Sequence, residues 1–236
     1  MNFPHLQSSL DRLLSAVSRG TARTLDRALS GQDISVDEAT DLFEADGSDL
    51  IAMMAAADHL RAQTVGDVVT YVINRNINFT NVCVKQCGFC AFSRGHLAEE
   101  GYFLPMEEII RRAGEAKELG ASEVCVQAGL APGMDGWHYV KLCRALKEAF
   151  PDLHVHGFSP EEVLYGSTLT GASIRDYLLA LKDAGVGSLP GTSAEIFVDE
   201  VRQRISPGRI GIDQWIDVIQ TAHEVGIPTT STIMYG

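Results

Sequence analysis

Three cysteines fall within eight residues of the stretch INFTNVCVKQCGFCAFSR, residues 77–94, as Cys83, Cys87 and Cys90 in the spacing CxxxCxxC. Thiolates this close in sequence are metal ligands by type, and their number narrows the metal. Structural zinc takes four ligands, and no further Cys or His stands at ribbon or finger spacing; His96, six residues on, is the nearest candidate. Three thiolates on one tight loop suit instead a cluster of four irons, each cysteine holding one iron and the fourth iron left open for another ligand. Cys125, mid-strand, and Cys143, on the apolar stripe of a helix, read as small buried hydrophobes rather than ligands.

The elements around the loop decide where it stands. Up to residue 70 the pattern is one of short amphipathic helices, with Leu10, Leu13, Leu14 and Val17, then Leu25, Ala28 and Leu29, at helical spacing and Gly20 and Gly31 as stops. From Tyr71 onward strands alternate with helices. Strands are predicted at 71–80, 122–129, 153–158, 186–191 and 228–236, and helices at 105–119, 137–149, 173–184 and 213–225. Ser173 and Asp176 form a capping box at the head of helix 173–184, and Gly185 ends it.

Five strands joined by helical crossovers imply a parallel sheet, doubly wound or closed as a barrel. In 71–80 the apolar Tyr71, Ile73, Ile77 and Phe79 alternate with Asn74, Asn76, Asn78 and Thr80, and in 153–158 Leu153 and Val155 alternate with His154 and His156. A central doubly wound strand is apolar on both faces, so this alternation favours a partial barrel with a polar lumen. Barrel active sites lie at the C-terminal ends of the strands, which is where the cysteine loop begins. The predicted architecture is an α/β partial (βα) barrel over 71–236, preceded by a helical segment over 1–70.

Bulk properties set the remaining bounds. A chain of 236 residues with 45% hydrophobic content can build a sizeable core. Its 31 acidic against 19 basic residues leave a formal charge of −12, which repels a phosphate backbone and argues against nucleic acid as partner. Asp11, Arg12 and Arg19 interrupt the N-terminal stretch, so no secretory signal is readable. LIAMMAAA at 50–57 is far shorter than the ~20 residues of a membrane span. A cytoplasmic, reducing location is expected, with the cysteines kept as thiols.

CxxxCxxC with Phe89 before the third cysteine, placed after the first strand of a βα repeat, resembles the radical S-adenosylmethionine (SAM) superfamily. The flanks YVINRNINFTNVCVKQCGFCAFSR, EEGYFLP, EVCVQAGL, HVHGFSPEEVLYG, GVGSLPGTSAEIF, RISPGR and PTTSTIMYG are similar to the CofH family, the tyrosine-using part of FO synthase. The resemblance implies a 4Fe–4S cluster and SAM as cofactors, and a 5'-deoxyadenosyl radical that takes a hydrogen from the amino group of L-tyrosine. It further implies that the released 4-hydroxybenzyl group adds to 5-amino-6-(D-ribitylamino)uracil, giving an adduct that a CofG subunit closes into a deazaflavin. A flavodoxin or ferredoxin-type protein is the implied electron donor.

By the same resemblance Cys83, Cys87 and Cys90 hold the cluster and Phe89 packs near the adenine. Gln127, Ala128 and Gly129 stand where the superfamily's double-glycine motif contacts the methionine moiety, although QAG departs from that pattern. Ser159, Glu161 and Glu195 are candidates for the ribose and methionine groups of SAM, with helix capping the plainer role for Ser159. Arg204 and Arg209 are candidates for a carboxylate, and Asn76, Asn78 and His156 for substrate in the lumen. His5, His59, His138 and His223 are read as ordinary.

The family's barrel has six βα units and a C-terminal cap, whereas this chain stops at Tyr235-Gly236 after the fifth strand. The expectation is a fragment, with an unpaired strand edge and an unroofed lumen. Three alternatives stand beside the transferase: a futalosine-route radical SAM enzyme of menaquinone synthesis, an inactive cluster-binding fragment, and a zinc-stabilised binding module.

Overall fold

The computed structural model describes residues 15–85, 87–92 and 101–235; His5, His96 and the stripe of Leu10, Leu13 and Leu14 lie outside the described residues. The chain divides into two compact units, Met1–Thr70 and Tyr71–Gly236.

The first unit holds helices α1 (Arg19–Leu29), α2 (Val36–Phe43) and α3 (Gly47–Val65). Ser18 caps α1 by accepting from Thr21 N, and Asp49 of α3 accepts from Ser18 N at 2.7 Å and Thr21 Oγ1 at 2.8 Å, tying the two helices at one end. Ser35 and Glu38 make a reciprocal capping box at α2. Gly31, at φ +75°, ends α1 as the sequence predicts, but Gly20 does not stop a helix: it lies in the first turn of α1, where Ser18 has already supplied the cap.

In the second unit β1 (Asn74–Ile77), β2 (Glu123–Val126) and β3 (His154–His156) form a parallel sheet in the order β1-β2-β3. Helix α4 (Met106–Glu118) crosses from β1 to β2, and α5 (His138–Ala149) from β2 to β3. Beyond β3 come α6 (Pro160–Thr170), α7 (Ile174–Asp183), α8 (Asp199–Ile205) and α9 (Ile212–Glu224). The fourth and fifth predicted strands are present only as single parallel bridges, His156 to Ser188, Leu189 to Thr229 and Glu195 to Ile233. Pro190 has no N–H to offer a ladder, and Ser193 and Glu195 have left-handed φ values of 70° and 47°, so the pairing cannot run on. The first strand is also shorter than 71–80, and Tyr71 and Ile73 are exposed.

The sheet has two unlike faces. Ile77, Val124, Val126 and Val155 are at most 1% exposed and join Ile109, Leu142, Cys143, Leu146, Tyr177 and Leu181 of the helices in one core. Each such fully buried aliphatic side chain contributes about 1.5–3 kcal/mol relative to leaving it in water. Asn74, Asn76, Glu123, Cys125, His154 and His156 alternate with them and stay half-buried or exposed on the opposite face. Glycine permits the tight seams: a Cβ on Gly166 would come within 2.2 Å of Tyr177 Oη, which donates to Gly136 O at 2.6 Å.

Ser173 caps α7 through Asp176 N, but the box is only half formed, because the Asp176 carboxylate accepts from the Ser173 hydroxyl instead of its N–H. The stretch after β3, unassigned from sequence, is helix α6, started by a full capping box from Ser159 to Glu162 with Pro160 in the first turn. No helix among the described residues is long and apolar enough to cross a membrane.

Candidate active site

The loops that leave β1, β2 and β3 at their C-terminal ends meet around one cleft that is open to solvent on one side. Cys83, Lys85, Cys87, Cys90 and Phe92 line it from the first loop, and Ala128, Gly129 and Leu130 from the second. Ser159, Glu161 and Glu162 line it from the head of α6, and Arg209 from the segment before α9.

Backbone bonds hold the cysteine loop in place. Val84 N donates to Leu130 O at 2.9 Å, Gly88 N to Ile205 O at 2.7 Å, and Cys90 N to Cys87 O at 3.2 Å. Gly129 N donates to Thr80 O, and a Cβ on Gly129 would lie 2.2 Å from Val82 O. Only glycine lets the two loops approach this closely.

Two ion pairs face the cysteines. Lys85 Nζ lies 3.2 Å from Glu161 Oε1 and also donates to Gly208 O, while Glu161 Oε2 accepts from Ile210 N at 2.6 Å. Arg209 Nη2 meets Glu195 Oε1 at 3.2 Å and Ser193 Oγ at 2.8 Å, and its Nη1 reaches Cys87 Sγ at 3.4 Å. The same guanidinium sits 5.6 Å from the centre of the Phe89 ring. Burial pushes the Cys87 thiol up in pKa, and the positive Arg209 beside it works in the opposite direction, toward the thiolate a metal requires.

Beneath the cleft, Glu162 is 2% exposed and receives three bonds, from Ser159 N at 2.7 Å, Ser159 Oγ at 2.6 Å and Ala128 N at 3.0 Å. Burial raises its pKa to about 7 against the pull of these donors. Glu162 thereby fastens the second loop to the third. Arg202, 3% exposed, does the same for the segment with left-handed backbone: it donates to the carbonyls of Ser193 at 3.1 Å, Ala194 at 2.6 Å and Ile196 at 3.2 Å, and to Ile210 O. Left-handed non-glycine residues cost of order 1–3 kcal/mol each, and such bonds are what sustains them.

The cleft therefore unites Cys83, Cys87, Cys90, Ala128, Gly129, Ser159, Glu161 and Arg209, with Phe89 and Glu195 against Arg209. Other predicted residues stand elsewhere. Gln127 points along the sheet, donating to Cys125 Sγ at 3.2 Å and accepting from Thr192 Oγ1. Asn78 Nδ2 donates to Gln127 O at 2.6 Å, Asn76 is exposed, and His156 bonds Ser188. Arg204 is exposed on α8: two residues from Arg202 along a helix, it faces away from the loop that Arg202 grips. Sequence reasoning missed Lys85, Glu162 and Arg202. Ser-x-x-Glu before an apolar run was a legible capping box for Glu162, whereas Arg202 earns its place only through a loop folded back from elsewhere.

Among the described residues no three His, Cys, Asp or Glu side chains converge on one point as ligands of a single ion. Cys125 and Cys143 are not in the cleft lining: Cys143 is fully buried, which raises its thiol to about 12 as expected of packed cysteine, whereas Cys125 is only half-buried on the polar face of the sheet, where Gln127 donates to its sulfur.

Residues 77–236 match the Radical SAM superfamily. The chain is 49% identical over 216 residues to the 5-amino-6-(D-ribitylamino)uracil--L-tyrosine 4-hydroxyphenyl transferase of Methanothermobacter thermautotrophicus, covering 92% of this chain and 59% of that one. It is 50% identical over 200 residues to the FO synthase of Streptomyces coelicolor, covering 85% of this chain and 23% of that one. This chain thus spans less than two thirds of either relative. Among solved structures it resembles the FeFe-hydrogenase maturase HydG, with a TM-score of 0.69 at 19% identity over all of this chain and 50% of that one. Methylornithine synthase (PylB) follows at a TM-score of 0.64 and 20% identity, over 89% of this chain and 58% of that one. Those two likenesses concern the fold, a partial TIM-type barrel; the family match, over more than half of the chain, shows that the chain belongs to the radical SAM superfamily.

Proposed function

We propose that this chain carries the tyrosine-cleaving, carbon-carbon bond-forming step of FO synthesis, joining the 4-hydroxybenzyl group of L-tyrosine to 5-amino-6-(D-ribitylamino)uracil. The observation that carries the reading is the 49% identity to a transferase of that name across 92% of the chain, a span that includes all three cleft cysteines. The relatives' names favour it over the futalosine-route alternative.

Cys83, Cys87 and Cys90 would hold a 4Fe–4S cluster, and the donor set fits: three thiols on one loop, one buried beside a guanidinium. When bound, that cluster supplies the electron that cleaves SAM and so initiates hydrogen abstraction from tyrosine. The protein's own groups bind and orient. Lys85 with Glu161 and Arg209 with Glu195 offer a cation and an anion apiece, which matches the α-amino and α-carboxylate groups of an amino-acid moiety. Bare Gly129 keeps the floor of the cleft close to the cysteine loop. Phe89, 43% exposed, offers an apolar ring for a heterocycle to stack on. Polar groups on the open face of the sheet, Asn76, Asn78 and His156 among them, would hydrogen-bond the substrates.

A subunit of CofG type would close the adduct into the deazaflavin, and a flavodoxin or ferredoxin-type protein would deliver the electron. The test is an anaerobic incubation of the iron- and sulfide-reconstituted chain with reductant, SAM, L-tyrosine and the ribitylaminouracil, followed by mass spectrometry. A hydroxybenzyl-uracil adduct is expected. SAM cleavage without adduct, with both substrates present, would reject the transferase reading.

A further inference from the structure

On the open face of the sheet Ser188 bridges two histidine rings by hydrogen bonds, and a carboxylate stands beside one of them. Ser188 Oγ lies 2.8 Å from His154 Nε2 and 2.7 Å from His156 Nδ1. Glu123 Oε2 stands 3.8 Å from His154 Nε2, and Asn74 Nδ2 donates to Glu123 Oε1 at 3.3 Å. Strand register builds this order, with Asn74 beside Glu123, Glu123 beside His154, and His156 beside Ser188. Gly187 makes room: a Cβ there would come within 2.3 Å of the His154 ring.

The proton count gives the bridge a direction. A serine hydroxyl carries one proton, so Ser188 donates to one imidazole nitrogen and accepts from the other. The carboxylate of Glu123 beside His154 Nε2 favours the proton on that nitrogen. His154 Nε2–H then donates to Ser188 Oγ, and Ser188 O–H donates to His156 Nδ1. With Nδ1 accepting, a neutral His156 carries its own proton on Nε2. Burial holds the His156 pKa below its ordinary value, which favours the neutral ring, with Glu123 pulling the other way. Its Nε2 has no hydrogen-bond partner among the described residues. His156 ends β3 and precedes the cleft residue Ser159 by three positions, so its strand leads directly into the cleft.

We propose that Ser188 and His154 are positioning residues that fix His156 as a neutral donor, and that its Nε2–H binds an oxygen acceptor of the substrate, a pyrimidinedione carbonyl or a phenol oxygen. The identity of the two ligands rests on the proposed function; the tautomer does not.

Nitrogen-15 NMR of the histidine rings in the anaerobically reconstituted chain, assigned with His156 variants, reads the tautomer directly. Calorimetric titration with L-tyrosine and with 5-amino-6-(D-ribitylamino)uracil, each alone, reads the contact. The expected results are an Nε2–H pattern for His156 and mixed tautomers in Ser188→Ala. For His156→Phe the expected result is about a tenfold or greater loss of affinity for one of the two ligands, largely recovered in His156→Gln, and the ligand that weakens identifies the oxygen. An Nδ1–H or doubly protonated His156 at neutral pH would overturn the proposal, as would unchanged affinity for both ligands in His156→Phe. If the unaltered chain binds neither ligand while His156 shows the Nε2–H pattern, the functional reading fails and takes the ligand contact with it, and the tautomer assignment stands.

Discussion

The two faces of the β1-β2-β3 sheet come from the same three short strands, yet they obey opposite rules. On the helix side Ile77, Val124, Val126 and Val155 are shut away from water, and the packing leaves them no freedom. On the open side Glu123, Cys125, His154 and His156 alternate with those same residues, remain half-buried, and find their hydrogen-bond partners in Asn74, Gln127 and Ser188. Stability resides on the first face, and the proposed chemistry belongs to the second, along with the loops that continue it. A substitution should therefore cost one property or the other, depending on its side.

The sharpest break expected is at the cleft. Cys87→Ser should take iron content after reconstitution from about four per chain to near zero, measured with acid-labile sulfide, while far-ultraviolet circular dichroism stays unchanged. On the helix side the reverse holds. Leu142→Ala, at a fully buried position of α5, should lower unfolding free energy by about 2–5 kcal/mol in a urea titration, with iron per folded chain unaltered.

Glu162 belongs to both sides and should show it. Glu162→Gln replaces a carboxylate that receives three donors, at a cost of about 1–3 kcal/mol. It should also alter pH dependence. Because burial lifts this carboxyl from 4.5 to about 7, the folded chain binds the proton more tightly than the unfolded one. The group's contribution is complete below about 4.5 and is lost as pH rises through 7, so the variant should flatten that slope in melts taken across the interval.

The smallest effect separates two arginines. Arg204→Ala, on an exposed site, should change stability by no more than about 0.5 kcal/mol and leave SAM binding untouched. Arg209→Ala should weaken SAM binding measured by equilibrium dialysis, since it strips the cleft of the cation that contacts Cys87, Ser193 and Glu195.

What the sequence disclosed follows the range of the forces involved. The cysteine spacing, the polar alternation of the strands and the Ser173 cap are local patterns, and they were legible; the Ser-capped helix after β3 was as local and was not read. The fourth and fifth strands were foreseen in place but not in form, because Pro190 and the left-handed Ser193 and Glu195 reduce them to single bridges. Arg204 was a reasonable choice by type, yet the buried position two residues earlier holds the loop, a distinction set by helix phase against a segment folded back from elsewhere. Glu161 and Glu162 are neighbours in sequence with separate tasks, one paired to Lys85 and the other buried beneath Ala128. The capping-box spacing from Ser159 singles out Glu162, whereas the pairing of Glu161 with Lys85 depends on loop packing that no short pattern records.

The most direct test of the central claim, that the open side of this sheet and its cysteine loop carry radical chemistry on tyrosine, is the anaerobic yield of 5'-deoxyadenosine with and without L-tyrosine, for the unaltered chain and for Cys87→Ser. The account predicts formation in the unaltered chain that rises when tyrosine is added, and none in the variant. A fully iron-loaded chain that forms no 5'-deoxyadenosine with tyrosine present would contradict it.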